Sequence, residues 1–180
     1  MSLSVTIRAV QANDYADVYA FQQEYLDSEP YEAFTQRVEG PSSLYFAAYQ
    51  GQQLAGIIYG NPSRKSEQDY MLQGVAVNLD TRLGLARQGI GSRLMQTFEN
   101  AARLVGANSV SVGAADDLKV ERFYLKNGFH PIELVAKSAD YRELERVSIR
   151  DYEAGKQLQE QLRAKHAARE VIFIFAKALK

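Results

Sequence analysis

Two glycines, Gly89 and Gly91, stand at the start of a strongly amphipathic segment of the chain. An apolar, strand-like segment at 72–77 precedes them, and apolar residues recur with helical spacing after them. A helix that begins at two glycines leaves its first N–H groups covered by backbone alone, and those groups have no partner within the helix. Together with the helix dipole they can bind a phosphate or pyrophosphate. Arg87 and Arg93 flank the glycines and fit the same ligand.

Other interpretations of these glycines remain open. Both are compatible with close packing of a helix on a strand, without any ligand. The chain has no Gly-x-x-x-x-Gly-Lys-Ser/Thr string, which the phosphate-binding loops of nucleotide hydrolases require. Leu94 stands where a dinucleotide-binding fingerprint needs its third glycine. A nucleotide-binding protein of another class is therefore the least favoured interpretation.

The composition narrows the class of protein. A chain of 180 residues with 46% hydrophobic residues can bury the core of one domain. A net charge of −1 argues against nucleic-acid binding, which needs a basic surface. The absence of cysteine excludes disulfides and a cysteine nucleophile, and two histidines are too few for a histidine-rich metal site. No apolar run reaches the ~20 residues of a membrane span and no signal pattern begins the chain, so we expect a cytoplasmic protein without membrane contact.

The hydrophobic periodicity predicts about seven strands. They are expected at 5–10, 44–49, 54–59, 70–77, 110–113, 129–135 and 171–176. Helices are expected at 13–26, in a short segment ending near 38, from 89 to 106, from 116 to 127, and from 148 to 168. This order of elements predicts an α+β fold, with a mixed sheet and helices on both of its faces.

The last predicted helix, 148–168, is polar. Ser148 is its expected N-cap, with Asp151 in the capping-box position. A thin apolar stripe runs along it: Ile149, Tyr152, Leu158 and Leu162. Three roles are open for this helix. It could cover the acceptor side of the site, form a dimer contact, or simply lie on the surface. We expect a single domain over 1–180, with this helix as an insertion before the last strand.

Two segments resemble the signatures of a known family. FYLKNGF at 123–129 resembles the second signature of the GNAT family of N-acetyltransferases. QGIG at 88–91, which follows the strand ending at 75–77, resembles the first signature. The spacing of the two, with one strand between them, is also similar. The resemblance is specific over about 70–131, and it implies a GNAT-like sheet that is mostly antiparallel.

The resemblance implies acetyl-CoA as co-substrate and no metal. The pyrophosphate would bind the N–H groups of 87–92, and the pantetheine arm would pair with 75–77 like an extra strand. Gly113, at the end of the strand predicted at 110–113, would let that strand diverge from the segment 75–77. The cofactor-binding residues implied in this way are Val75, Ala76, Val77, Arg87, Gln88, Gly89, Ile90, Gly91, Ser92, Asp117, Phe123 and Lys126.

The chain departs from the family pattern at several positions. Ala86 stands where the family usually has Arg or Gln, and Arg82 could replace that residue only if the longer connection bulges outward. Asp117 stands in place of the usual Asn, and Val120 in place of the usual Ala. These departures affect side-chain contacts, whereas backbone donors carry most of the phosphate contact.

Tyr124 is the predicted catalytic residue. When CoA leaves, its sulfur becomes negative, and a nearby phenol can donate a hydrogen bond or a proton to it. An ordinary phenol has a pKa of ~10 and a thiol has a pKa of ~8.5, so full proton transfer from the phenol to the thiolate is mildly unfavourable. Hydrogen bonding is therefore the larger part of this role. The alternative is that Tyr124 only covers the core.

The sequence does not identify a general base. The candidates among carboxylates, each also compatible with a solvated surface charge, are Glu24, Asp27, Glu29, Glu32, Glu67 and Asp69. Gln73 cannot act as a base, and His130 and His166 are more typical of a strand and a surface helix. The acidic group Asp27, Glu29 and Glu32 could attract a cationic acceptor.

The function that these patterns favour is acetyl transfer from acetyl-CoA to a primary amine of a small molecule, by direct attack in a ternary complex. One alternative is a non-catalytic module that senses acyl-CoA. Another is an acetyltransferase that acts on protein N-termini or lysines. We expect no nucleic-acid or membrane partner, and a homodimer is left open.

Overall fold

The computed structural model describes residues 4–85 and 88–180. Within them the strands are β1 (Val5–Ala9), β2 (Leu44–Gln50), β3 (Gln53–Pro62), β4 (Asp69–Val77), β5 (Ser109–Gly113), β6 (His130–Lys137), β7 (Glu143–Ser148) and β8 (Glu170–Ala178). The α helices are α1 (Tyr15–Tyr25), α2 (Tyr31–Glu39), α3 (Ile90–Leu104), α4 (Leu118–Lys126) and α5 (Tyr152–His166). The chain divides into two compact units: unit 1 runs to Asn108 and includes Leu179, and unit 2 holds 109–178 and Lys180.

Unit 1 contains four antiparallel strands in the order β1-β2-β3-β4. A hairpin joins β2 to β3, and Gly51 in its turn has a φ of +61°. Positive φ is costly for residues with a side chain, so glycine at this place allows the tight turn. β3 is 10 residues long and buried throughout from Leu54 to Gly60, which makes it the central element of this unit.

Helices cover both faces of the unit 1 sheet. On one face α1 and α2 contribute Phe21 and Phe34 to an aromatic cluster that includes Tyr45 and Tyr59 of the strands. On the other face α3 packs so closely that a Cβ on Gly56 would lie 3.0 Å from Leu94 Cδ1. Successive residues of a strand point to opposite faces, so the glycines of β3 accommodate α3 while its Tyr59 meets the side covered by α1 and α2.

Unit 2 contains four antiparallel strands in the order β5-β8-β6-β7. Phe173 and Phe175 of β8 point to the same face, and their ring centroids are 5.7 Å apart. Tyr152 of α5 packs on Phe173, and Tyr124 of α4 packs on Phe175. Both helices therefore lie on one face of this sheet.

The α+β class and the mostly antiparallel pairing are confirmed, whereas the described residues form eight strands rather than about seven. The missed strand is β7. Most of its side chains are charged or exposed, so its sequence lacks the alternation of apolar and polar residues that predicts a strand. Ser148 ends this strand, and the N-cap of α5 is Asp151, whose carboxylate accepts from Ala154 N–H at 2.9 Å. The helix therefore begins at Tyr152, later than the sequence predicts.

Two further corrections concern the strands predicted at 54–59 and 70–77. β3 continues to Pro62 and β4 begins at Asp69, so the two strands remain paired through Pro62 and Tyr70. The prediction of a single domain over 1–180, with a helical insertion, stays a prediction. Of the helices that the structure describes, none has the length and apolar character needed to cross a membrane.

Candidate active site

The tip of α3 presents free backbone donors. Gly89 is the N-cap, with a left-handed φ of +67°, and no side chain caps the helix. The first helical bond runs from Arg93 N–H to the Gly89 carbonyl at 3.0 Å, so the N–H groups of Ile90, Gly91 and Ser92 come before it. A Cβ on Gly89 would meet no described atom within 4 Å. The helix tip therefore has room in front of it for a ligand that accepts hydrogen bonds.

The basic side chains near this tip are engaged elsewhere. Arg93 Nη2 donates to the Val5 carbonyl at 2.9 Å, and its role at the phosphate site stays a prediction. Arg82 pairs with Asp80 at 2.7 Å, and this contact lowers the pKa of Asp80 to about 2. Arg87 lies outside the described residues, as does Ala86. Among the described residues, the positive potential at the tip thus comes from the backbone.

The segment 75–77 lies beside the tip of α3. Its residues pair with β3, with Val77 opposite Gly56. A Cβ on Gly56 would lie 2.8 Å from the Ala76 carbonyl oxygen and 3.5 Å from Ile90 Cγ2. Glycine at this position lets the first turn of α3 sit directly over the end of β4. The structure therefore brings together two segments that were predicted to bind the cofactor.

A bulge interrupts β4 just before this segment. Tyr59 pairs with Gly74 and Gly60 pairs with Leu72, so Gln73 is an extra residue on β4. Arg37 Nη1 of α2 donates to Gln73 Oε1. Bulges often occur near active sites because they redirect side chains. The sequence carried no sign of this bulge, since it depends on how β4 pairs with β3.

Gln88 and Asp117 hold local structure in place. Gln88 Nε2 donates to the Gly84 carbonyl at 2.7 Å, within the loop before α3. Asp117 is the N-cap of α4, and its Oδ1 accepts from Lys119 N–H at 2.7 Å and from Val120 N–H at 3.3 Å. The Asp found in place of the family's Asn thus supports the start of the signature helix.

Tyr124 is buried in unit 2. Its side chain is 5% exposed, and its ring lies 5.6 Å from that of Phe129 and 5.7 Å from that of Phe175. Burial raises the pKa of the phenol, so Tyr124 stays protonated at neutral pH. Phe123 is partly buried beside it, and Lys126 is exposed in the last turn of α4. Gly113 ends β5 and remains paired with Ile174.

Glu29 is not a free surface charge. Arg37 donates to both of its carboxylate oxygens, at 3.0 and 2.9 Å, and Gln22 Nε2 donates to Oε1 at 2.6 Å. The Arg37 guanidinium lowers the pKa of Glu29, which makes it a weaker base. Of the predicted acidic group, only Asp27 and Glu32 remain exposed. Because the charge of Glu29 is balanced by Arg37, the three carboxylates together attract a cationic acceptor less strongly than the sequence predicts.

The remaining candidates for a general base are Glu24, Glu67, Asp69 and the two histidines. Glu24 and Glu67 are exposed, and Asp69 begins β4. His130 is exposed at the start of β6, and His166 contacts Glu145. Among residues 4–85 and 88–180, no three histidine or carboxylate side chains are grouped so that they could hold a metal ion.

The helix α5 packs on unit 2 rather than lying free on the surface. Gly155, Gln159 and Leu162 are buried, and the helix contacts β6 and β8. Arg163 also pairs with Asp116 at 2.7 Å, just before α4. Lys156 pairs with the buried Glu121 of α4 at 3.0 Å. These contacts make α5 a support for the signature helix α4.

The α+β fold and the two signature segments are those of an acyltransferase family. The sequence profile of the Acetyltransferase (GNAT) family matches residues 12–129, which is more than half of the chain, and the chain belongs to this family. The match begins well before the two signatures and ends at the start of β6. Family membership supports acyl transfer as the class of reaction, and acetyl-CoA is the family's acyl donor.

Solved structures of acetyltransferases share the fold. The ribosomal-protein-S18-alanine N-acetyltransferase from Escherichia coli is 16% identical, with a TM-score of 0.67 over 98% of this chain and 95% of that chain. The aminoglycoside 6'-N-acetyltransferase from Enterococcus faecium is 15% identical, with a TM-score of 0.67 over 97% of each chain. A Bacillus subtilis acetyltransferase in complex with CoA is 15% identical, with a TM-score of 0.64 over 99% of each chain. No curated protein matches the chain.

Proposed function

We propose that this chain transfers an acetyl group from acetyl-CoA to a primary amine of a small molecule. The observation that carries this proposal is the open tip of α3, where Gly89 leaves the N–H groups of Ile90, Gly91 and Ser92 uncovered next to the end of β4. Such a tip suits a pyrophosphate. The family match makes acetyl-CoA the ligand that this arrangement favours.

The binding residues follow from that assignment. Backbone N–H groups of 88–92 would bind the pyrophosphate, together with Arg87. The backbone of Val75, Ala76 and Val77 would pair with the amides of the pantetheine arm, which gives affinity without side-chain contacts. Phe123 and Lys126 are the further contacts that the resemblance implies on α4.

The proposed chemistry is direct. The amine nitrogen forms a bond to the acetyl carbon, the carbon–sulfur bond breaks, the nitrogen loses a proton and the sulfur gains one. Tyr124 would donate a hydrogen bond to the leaving sulfur, and its raised pKa keeps it in the donor form. The chain has no cysteine to carry an acetyl group, which supports attack within a ternary complex.

Calorimetry and a turnover assay test the proposal. We expect acetyl-CoA to bind and free thiol to appear when a panel of small amines is added. Binding without turnover on any small amine, peptide N-terminus or lysine would instead support an acyl-CoA sensor. Turnover on peptides alone would support a protein acetyltransferase, a class to which the similar Escherichia coli enzyme belongs by its name. If millimolar acetyl-CoA does not bind, both readings fail.

A further inference from the structure

Glu121 is a buried carboxylate that lies three residues before Tyr124 on α4. Its exposed fraction is 1%, and Glu121 and Tyr124 are the two residues of α4 that are buried. Residues three apart on a helix are neighbours on one face, so the carboxylate and the phenol lie on the same side of α4. Acetyl transfer as proposed above assigns no role to Glu121, and a buried carboxylate is costly unless it is paired and hydrogen-bonded.

Two side chains of α5 hold this carboxylate. Tyr152 Oη donates to Glu121 Oε1 at 2.7 Å, and Lys156 Nζ donates to the same oxygen at 3.0 Å. A buried ion pair is often no more stabilising than apolar residues of similar size, and its best-attested use is to fix how two elements pack. The contacts of Glu121 therefore favour a role in setting the position of α4 against α5.

A second anchor lies just before α4 and is joined to the first. Asp116 accepts from Arg163 of α5 at 2.7 Å. Gln159 of α5, which is fully buried, donates to Asp116 Oδ1 at 3.3 Å and accepts from Lys156 Nζ at 2.7 Å. One chain of hydrogen bonds thus runs from Asp116 through α5 to Glu121. It holds α4 both at its beginning and at the level of the residue that precedes Tyr124 by three.

The hydroxyl of Tyr124 depends on where α4 lies. The Tyr124 ring packs on Phe129 and Phe175, and hydrophobic contact is non-directional. The rotation and tilt of α4 therefore decide where the hydroxyl points. We propose that Glu121 is a positioning residue for Tyr124: held by its two partners on α5, it fixes α4 so that the phenol meets the leaving sulfur of CoA. This proposal rests on the proposed acetyl transfer and on the role of Tyr124 in it.

Two variants of Glu121 test this role. Glu121→Met removes the acceptor and keeps a side chain of similar size, whereas Glu121→Gln keeps an oxygen that can accept from both partners. We expect Glu121→Met to lower kcat by about tenfold or more, since a small misplacement of a catalytic group has effects of this order. Glu121→Gln should retain most of the wild-type kcat, and the dissociation constant for acetyl-CoA should stay the same in both. Wild-type kcat in Glu121→Met overturns the proposal.

Glu145→Met is the matched control. Glu145 also receives two side chains of α5, because Lys165 donates to its Oε2 at 3.0 Å and His166 contacts the same oxygen. These contacts join α5 to β7 rather than to α4. Whatever it does to the Tm, Glu145→Met should therefore leave kcat unchanged. Equal losses of kcat in Glu145→Met and Glu121→Met would show a general loosening of α5 and overturn the positioning role.

A double-mutant cycle shows whether Glu121 acts through Tyr124. In the Tyr124→Phe background no hydroxyl remains to be positioned, so Glu121→Met should lower kcat no further. Tyr152→Phe gives the same test if Glu121→Met does not fold, because it removes one hydrogen bond and keeps the ring that packs on Phe173. We expect it to lower kcat severalfold in the wild type and not at all in Tyr124→Phe.

The outcomes of this cycle separate the two proposals. An additive loss of kcat in the double variant, or wild-type kcat in Tyr124→Phe alone, overturns the positioning role while acetyl transfer stands. No free thiol from the wild type with any amine overturns both proposals.

Discussion

At the scale of single residues, Tyr124 carries the sharpest prediction. Burial raises the pKa of its phenol, so the group loses its proton only above the ordinary pKa of ~10 and remains a donor at every lower pH. We expect Tyr124→Phe to lower kcat by about 100-fold, the scale of a general acid. The ring packing with Phe129 and Phe175 would be kept.

Binding and pH measurements separate this role from packing. The dissociation constant for acetyl-CoA should be the same in Tyr124→Phe and in the wild type. The wild-type kcat should show no fall from Tyr124 ionisation up to about pH 10. A variant with wild-type kcat would instead mean that Tyr124 only covers the core.

Asp14 gives a prediction about stability and pH. Arg8 donates to both of its carboxylate oxygens, at 2.5 and 2.7 Å, and lowers the pKa of Asp14 to about 2. A lowered pKa stabilises the folded state above the ordinary pKa near 4, and this contribution is lost as the pH falls from about 4 to 2. We expect Asp14→Asn to cost roughly 2 kcal/mol at pH 7, with a smaller difference below pH 4.

Denaturant unfolding at several pH values measures this difference. Asp17→Asn is the control, since Asp17 is exposed on α1. Its cost at pH 7 should be small. A cost for Asp14→Asn that is the same at pH 3 and pH 7 would refute the role of the ion pair.

At the scale of elements, the sequence predicts what local spacing encodes. α3 and α4 were predicted because apolar periodicity and nearby glycine or Asp caps are local features. The strand β7 was missed because its charged residues hide its pairing with β6. Two contacts join residues that are far apart in the chain, so no local sequence pattern predicts them. They are the contact of Arg37 with Gln73 and that of Tyr59 with Gly74.

The close packing of α5 on β8 predicts that a glycine-to-alanine substitution in this helix lowers stability, which is the opposite of what helix propensity predicts. Alanine normally stabilises a helix by about 1 kcal/mol relative to glycine. A Cβ on Gly155, however, would lie 2.6 Å from Phe173 Cε1 and 2.9 Å from Ile149 Cδ1. Overpacking costs about 1–3 kcal/mol, so we expect Gly155→Ala to lower the free energy of unfolding by roughly 1 kcal/mol. Denaturant unfolding measures it.

A second variant isolates the cause. Phe173→Leu removes the ring that the new methyl group would meet. In that background Gly155→Ala should no longer destabilise the protein, because the closest contact is gone, the flexible end of Ile149 can shift away, and the helix propensity remains. If Gly155→Ala is stabilising in the wild-type background, α5 does not pack on β8 as closely as the structure indicates.

At the scale of the whole molecule, a bound acyl carrier should raise the stability of the folded chain. A ligand at 100 times its dissociation constant adds about 2.7 kcal/mol to the free energy of unfolding, which corresponds to roughly 5–10 °C in Tm for a chain of this size. We expect acetyl-CoA to produce this increase. Thermal unfolding with and without acetyl-CoA measures it.

The two ends of α3 provide a matched pair of variants for the same experiment. Gly89 and Gly106 both have a positive φ, +67° and +88°, and a Cβ on either would meet no described atom within 4 Å. Glutamate therefore brings the same charge and backbone strain to each end of one helix. Gly89→Glu should abolish the stabilisation by acetyl-CoA, since it places a carboxylate in front of the free N–H groups, whereas Gly106→Glu should retain it. If both variants keep the full increase in Tm, acetyl-CoA does not bind at the tip of α3.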